Sequence, residues 1–337
     1  MYQLYPLKFR PILKEKIWGG NKLHKHFNKE TGSMENCGES WELSAVENDV
    51  SVVSNGYLAG NDLQDLVEVY MGDLVGDSVY EQFGPEFPLL IKFIDASDDL
   101  SIQVHPNDAV AKERHNAYGK TEMWYVLESD RGSRLITGFN KDVKKDEYLN
   151  HLNNSTLSKI LNFEEVQEGD VFFIPAERVH AIGKGIMLAE IQQTSDITYR
   201  IYDYNRKDAD GNGRELHTDL AIDVLDYKLY NNYRTEFDPQ LNKSTNLVKC
   251  KYFSTNFIEF DQMVEKDFVV IDSFVIYMCL EGELYITYGD GDTETLSKGE
   301  TVLIPAELKN ITLTPTIKSK ILEVFIPQKA QENHDED

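Results

Sequence analysis

Short alternating runs of apolar and polar residues dominate the chain. "SIQVHP" (Ser101–Pro106), "EMWYVL" (Glu122–Leu127), "SRLITGF" (Ser133–Phe139), "DVFFIPA" (Asp170–Ala176) and "IMLAEIQQ" (Ile186–Gln193) are rich in β-branched and aromatic residues, with Gly, Pro, Asp and Asn between them. That pattern predicts short strands closed by tight turns. Two stretches instead place apolar residues at three- and four-residue steps, which predicts helix. They are Asn61–Gly84, and Tyr148–Val166 as two short helices. Arg234–Phe253 is polar and turn-rich and reads as a linker, after which a second all-β run extends to Pro327. Hairpin turns are expected at Gly282 and at "GDGD" (Gly289–Asp292). The expected organisation is a first domain over 1–240, a second β domain over 241–327 and a disordered acidic tail over 328–337.

The two β runs share a segment. "EGDVFFIPAERVHAIGKG" starts at Glu168 and "KGETVLIPAELKNITLTP" at Lys298. Aligned, Gly169 meets Gly299, Pro175 meets Pro305, Glu177 meets Glu307, and His180 meets Asn310. A repeated Gly-x5-Pro-x-Glu between strands points to two barrel-like β units. The first copy resembles the second signature of the cupins, Gly-x5-Pro-x-Gly-x2-His, with Glu177 in the place of the second glycine. The expected fold is therefore mainly β, a double cupin of two double-stranded β-helix units with a few short helices.

Candidate chemistry gathers in the first unit. Gln103 and His105 stand two apart in one strand, as do Lys120 and Glu122 ahead of another. Residues two apart share a strand face, so these pairs would point into the barrel. With His180 they would form a polar interior that is costly to leave unpaired and that a divalent metal would satisfy. The second unit has no histidine between Thr218 and Asn333, with Asn310 in the ligand position, so one metal centre per chain is expected. Lys92, inside the apolar "PLLIKFIDA", joins Lys120, Arg200 and Arg206 as candidates for a local positive patch. His24 and His26 lie in a charged segment expected to be exposed.

Charge makes that patch informative. The formal net charge is −24, with 58 acidic against 34 basic residues, which argues against nucleic acid or an anionic membrane as partner. Basic residues grouped beside a metal in so acidic a chain suggest a small anionic substrate such as a sugar phosphate. Cys37, Cys250 and Cys279 form no CxxC pair, which suits a reducing compartment. With no apolar leader and no long apolar span, a cytoplasmic protein is expected.

The blocks "IWGG", "GESWELS", "PLLIKFIDA", "LSIQVHP", "GKTEMWYVL", "IPAERVHAIGKG", "EIQQTSDITYRIYDYNR" and "RELH" occur in this order over nearly the whole chain. In this the sequence resembles the type I mannose-6-phosphate isomerases in their shorter bacterial form. The resemblance implies a zinc enzyme, one Zn²⁺ per chain, that interconverts mannose 6-phosphate and fructose 6-phosphate through a cis-enediol. It places the metal ligands at Gln103, His105, Glu122 and His180. It places the active-site arginine at Arg200, its acidic partner at Asp196, and further catalytic groups at Lys92, Lys120 and Glu190. Ser101 and Arg206 fall where phosphate contacts are expected. Lys120 is the first candidate for the proton-transferring base, with Lys92 and Glu190 as competitors. A monomer or homodimer is expected, with neither nucleic acid nor membrane as partner. Two other classes fit less of the pattern: a sugar-phosphate-binding bicupin without turnover, and a metal cupin isomerase acting on another sugar. Larger members carry a long helical domain beside the barrel, for which only two helical stretches remain here.

Overall fold

The computed structural model describes residues 3–207 and 211–328. The expected acidic tail, from 329 onward, lies outside the described residues. The chain is mainly β and divides into two compact units. One comprises Pro11–Val50 and Leu89–Glu236; the other comprises Met1–Arg10, Ser51–Pro88 and Phe237–Asp337. The boundary expected near residue 240 thus has a counterpart after Glu236, but the N-terminal residues and 51–88 belong with the C-terminal unit. Pattern alone could not show this, because strand Leu7–Lys8 is only two residues long and pairs with Thr301–Ile304, nearly 300 residues away.

The unit holding the candidate chemistry is a sandwich of two antiparallel sheets. The seven-stranded sheet runs in the order Arg234–Thr235, Val171–Ile174, Glu122–Ser129, Ile186–Gln193, Leu89–Ala96, Ile12–Gly20, Cys37–Leu43, and the last strand also pairs with Leu89–Ala96. The five-stranded sheet runs Leu161–Glu165, Arg134–Phe139, His180–Ala181, Ile102–Val104, Tyr199–Tyr202. Trp18, Trp124, Leu135, Phe172, Ile182 and Leu188 belong to the apolar core between them. A second cluster, including Ile102, Ile136, Phe139, Tyr148 and Leu157, sits on the reverse face of the five-stranded sheet. This reverse face is covered by helix Lys145–Asn153, whose Tyr148 is buried.

The other unit is also a sandwich. Its six-stranded sheet runs Leu7–Lys8, Thr301–Ile304, Val275–Glu281, Ser319–Phe325, Ser254–Phe260, Lys243–Lys249. Its four-stranded sheet runs Val264–Asp267, Asn310–Pro315, Glu283–Tyr288, Asp292–Ser297. The double-cupin architecture expected from the repeat is present.

Several local expectations change. Asn61–Gly84 is not one helix: Leu63–Val75 kinks at Met71, whose φ is +47°, and Asp77–Phe83 forms a separate helix after it. The break falls at Gly76, whose φ of +96° suits glycine, and a Cβ there would lie 2.5 Å from the Asp272 carbonyl oxygen. Asp272 then accepts from the Asp77 and Ser78 amides at 2.9 and 2.8 Å, capping the second helix from outside it. Tyr148–Val166 ends not in a helix but in strand Leu161–Glu165, paired with Arg134–Phe139. Part of the expected linker, Lys243–Lys249, is an edge strand, and its polar residues suit that place. Lys22–Phe27, Asp108–His115 and Thr218–Ile222 are helices too short to show apolar periodicity.

Candidate metal centre and cavity

Sheet pairing brings the chemistry-bearing residues together in rows. On the five-stranded sheet His180 is paired with Gln103 and Thr137, and Gln103 also with Arg200. On the seven-stranded sheet Glu190 stands between Lys92 and Trp124, with Trp41 next to Lys92. Glu122 lies two residues before Trp124 on the same strand face.

His105, Glu122 and His180 are buried, and their ligand atoms lie within 4.8 Å of one another. The two Nε2 atoms are 3.1 Å apart, and Glu122 Oε1 and Oε2 lie 3.4 and 3.5 Å from His180 and His105. Each histidine donates Nδ1–H to a backbone carbonyl at 2.8 Å, His105 to Ile197 and His180 to Arg178. Those bonds leave both Nε2 lone pairs facing the cluster, the tautomer a metal ligand needs. Burial pushes the His105 imidazolium well below its usual range and takes His180 down to about 4, so both rings are neutral at pH 7. Neither Glu122 oxygen accepts a hydrogen bond of good geometry, although Lys120 Nζ lies 3.3 Å from Oε2. Burial, then the nearby Glu190 charge, raises Glu122 against the pull of Lys120 and Lys92. A buried carboxylate with unsatisfied oxygens beside two inward lone pairs fits a cation. Gln103 sits at 3.3 Å from His180, with its amide nitrogen on that side and its Oε1 near Ser101 Oγ.

Above this cluster lies a cavity of about 420 Å³. Gln103 and Lys120 line it, and the three buried ligands sit directly beneath them. Its walls carry six cations (Lys14, Lys16, Lys92, Lys120, Arg200 and Arg214) against four carboxylates. That reverses the balance of the whole chain and suits an anionic ligand. A larger cavity, about 710 Å³, is lined by Ile102, Ile136 and Ala181. These alternate with Gln103, Thr137 and His180 along the same strands, so it lies on the reverse face of the sheet and holds none of the ligand set.

Most residues singled out from the sequence converge here, though their partners differ from expectation. Lys92 Nζ is 3.1 Å from Glu190 Oε1 and 5.1 Å from the Trp41 ring centre. Glu190 Oε2 accepts from Trp124 Nε1 at 2.8 Å. Arg200 donates from Nη1 to the Glu215 carbonyl at 2.9 Å and from Nε to Ser101 Oγ at 3.3 Å. Asp196 lines the cavity, but among the described residues it forms no ion pair with Arg200. Arg206 does not line it; it pairs with Asp203 and packs over Tyr204. His26 pairs with Glu128 and His24 with the Lys29 carbonyl, away from the cluster.

Lys14, Lys16, Glu39, Trp41 and Arg214 also line the cavity, although no motif in the sequence marks them as site residues. Glu39 accepts from Trp41 Nε1 at 2.6 Å and pairs with Lys16 at 3.3 Å. Burial alone would raise its carboxyl, but the Lys92 and Lys16 charges and the indole N–H hold it down at about 2. The available signal was period-two spacing in "ILKEKIW" and "GESWEL", which puts Lys14 with Lys16 and Glu39 with Trp41.

Fold and site together define a double cupin with one metal-capable His–His–Glu cluster beneath a cation-lined cavity. The family described as phosphomannose isomerase type I, catalytic domain, matches residues 6–158, and the mannose-6-phosphate isomerase cupin domain matches 243–321. The chain is 37% identical over 306 residues to the mannose-6-phosphate isomerase ManA of Bacillus subtilis, covering 89% of this chain and 93% of that protein. It is equally 37% identical over 306 residues to the mannose-6-phosphate isomerase of Streptococcus mutans, covering 90% and 94%. The crystal structure of the mannose 6-phosphate isomerase from Bacillus subtilis superimposes with a TM-score of 0.86 at 31% identity, covering 95% of this chain and 99% of that one. That of a putative mannosephosphate isomerase from Archaeoglobus fulgidus shares the fold, with a TM-score of 0.79 at 21% identity. The chain belongs to the type I phosphomannose isomerases.

Proposed function

We propose that the chain interconverts D-mannose 6-phosphate and D-fructose 6-phosphate, with one Zn²⁺ held by His105, Glu122 and His180 and by Gln103 once its amide turns its oxygen inward. The observation that carries this reading is the buried, unsatisfied Glu122 carboxylate facing two imidazole lone pairs beneath a cavity rich in cations. Family membership supplies the reaction.

A bound divalent ion would act as Lewis acid and template for the sugar oxygens. Around it the chain's own groups divide the work. Arg200 projects into the cavity on neutral acceptors, so its charge is free to stabilise the enediolate. Lys120, on the cavity wall, acts in its neutral amine form. It takes the C2 proton of the open-chain aldose as the C–H pair forms the C1=C2 bond and the carbonyl pair moves to O1. A proton passes from O2 to O1, and the C2 proton is returned at C1. Glu190 is the weaker candidate for that task, because one oxygen faces Lys92 and the other accepts from Trp124. Lys92 stands on Trp41 and contributes fixed positive charge. Lys14, Lys16 and Arg214 on the cavity wall supply further charge for the phosphate, with Ser101 beside Arg200. A cytoplasmic setting belongs to the same reading, supported by three free cysteines, Cys37, Cys250 and Cys279. Among the described residues no helix is long and apolar enough to cross a membrane.

The test is fructose 6-phosphate formation from mannose 6-phosphate before chelation, after it, and with Zn²⁺ restored. Turnover abolished by chelation and recovered with zinc is the expected result. A folded, zinc-loaded chain that binds the sugar phosphate without converting it would overturn the reading in favour of a binding protein.

A further inference from the structure

Arg200 stands on strand Tyr199–Tyr202, at the edge of the five-stranded sheet and paired only with Ile102–Val104. The pairing is irregular there, with a register shift between Arg200 and Tyr202. An edge strand leaves one side of its backbone without a ladder partner, so nothing in the sheet itself fixes the backbone at Arg200 on that side. One residue takes both groups. The Arg200 N–H donates to His217 Nδ1 at 3.2 Å, and the Arg200 carbonyl accepts from the His217 N–H at 2.7 Å. Two residues earlier, the Glu215 carbonyl accepts from Arg200 Nη1 at 2.9 Å. The short segment Glu215–His217 therefore holds Arg200 at its backbone and at its guanidinium. The segment is itself tied down, because the His217 carbonyl accepts from Ala221 N–H at 3.0 Å in the helix that follows.

We propose that His217 is a positioning residue for Arg200, fixing the edge-strand backbone through its Nδ1 acceptor and backbone amide so that the guanidinium stays over the cavity. The inference rests on the isomerase reading above. His217 does not line the cavity, so it acts through Arg200 and not on substrate. Its Nδ1 accepts only when the ring is neutral with the proton on Nε2. Among the described residues the acceptors on Arg200 are neutral, so they orient the charge without cancelling it, as electrostatic catalysis requires.

The experiment compares His217→Phe, His217→Asn and wild type, each also in an Arg200→Ala background. Turnover, zinc content and thermal midpoint are read for every chain. Phenylalanine keeps a ring but no acceptor; asparagine offers an oxygen near the place of Nδ1. The expected result is a fall in kcat of about 3–10-fold in His217→Phe, the effect of one net hydrogen bond on the placement of a catalytic group. KM and zinc content should hardly change, and His217→Asn should recover most of the rate. In the Arg200→Ala background His217→Phe should cost almost nothing further. Full turnover in His217→Phe overturns the proposal, and so does an equal loss in both backgrounds, which would mark general destabilisation. If His217→Phe does not fold, His217→Ala is read by the same criteria. No turnover by the wild-type chain would remove the isomerase reading, and this proposal with it. A wild type that turns over and is indifferent to His217 removes the proposal alone.

Discussion

At Glu122 two carboxylate oxygens are buried without a donor of good geometry, and the nearest other polar atoms include two imidazole lone pairs. Glu122→Gln keeps the shape and removes the charge. It should weaken zinc binding by more than the roughly 10–100-fold typical of losing an outer-shell partner, measured by competition with a chromophoric chelator. Unchanged affinity would show that the cation sits elsewhere. Much at this scale was legible in the sequence, because strand alternation is strictly two-residue. Gln103 with His105 and Lys120 with Glu122 follow from it, and a lysine in the apolar run "PLLIKFIDA" announces Lys92. Trp41 and Glu39 were not legible as site residues. They reach Lys92 only because Cys37–Leu43 pairs with Leu89–Ala96, about 50 residues further on, and alternation does not choose a strand's partner. Nor could spacing show that Asp203 engages both Arg206 and Arg214, while among the described residues Asp196 forms no ion pair with Arg200.

Element pairing explains why one copy of the repeated segment contributes to a metal-capable cluster and, among the described residues, the other does not. Both copies make the same turn, with Arg178 N–H bonded to the Pro175 carbonyl and Leu308 N–H to that of Pro305. Glu177 then has φ +74°, the left-handed conformation that the glycine of the cupin signature would adopt freely, while Glu307 is not among the positive-φ residues. The strands leave the turn in opposite phase. His180 faces inward, but Asn310 is exposed and its neighbour Ile311 enters the core. Asn310 therefore does not occupy the place of His180, as the alignment alone suggested; a one-residue change of phase moves every side chain to the other face. A different row survives in both copies. Trp124–Glu190–Lys92 has a counterpart in Tyr277–Glu323–Asn256, with Tyr277 donating to Glu323 at 2.7 Å and Asn256 at 2.9 Å. A carboxylate held by an aromatic donor thus persists without a histidine ligand set, which assigns Glu190 to holding Lys92 and not to the metal. Glu190→Gln should retain zinc while lowering kcat. It should destabilise the fold by at most about 3–5 kcal/mol, the cost of stranding a buried charge, with Glu39 offsetting part of it. Zinc lost from a folded Glu190→Gln chain would contradict this assignment.

Over the whole molecule these buried groups shape the response to acid, in two separable parts. Burial takes the folded His180 ring down to about 4 from the 6.5 usual for a free imidazole. In the metal-free chain the unfolded state therefore binds the proton first, and stability falls as pH drops from 6.5 towards 4. A bound zinc ion would need the neutral ring in the folded state, so the stability it adds would be lost as the folded ligands themselves take up protons. Against the effect of burial, Lys92 and Lys16 hold the folded Glu39 carboxyl at about 2, below its usual 4.5. Its contribution is complete above 4.5 and disappears as pH falls towards 2; a shift of that size corresponds to about 3 kcal/mol. The net charge of −24 also shrinks on acidification, relieving self-repulsion in every variant alike. The informative quantity is therefore the difference between chains. Urea midpoints from pH 7.5 to pH 3, with and without zinc, should separate the two parts. The zinc-dependent gap should shrink in two steps, as Glu122 takes up a proton near pH 7 and as His180 does so near pH 4. Wild type should lose stability relative to Glu39→Gln below pH 4.5, where the carboxylate that distinguishes them becomes protonated. Parallel curves for wild type and Glu39→Gln down to pH 3 would mean that the Lys92–Glu39–Lys16 charges are not coupled in the folded protein. The cationic wall of the cavity would then be held by its other contacts, Lys92 with Glu190, Lys14 with Asp49, and both lysines over Trp41.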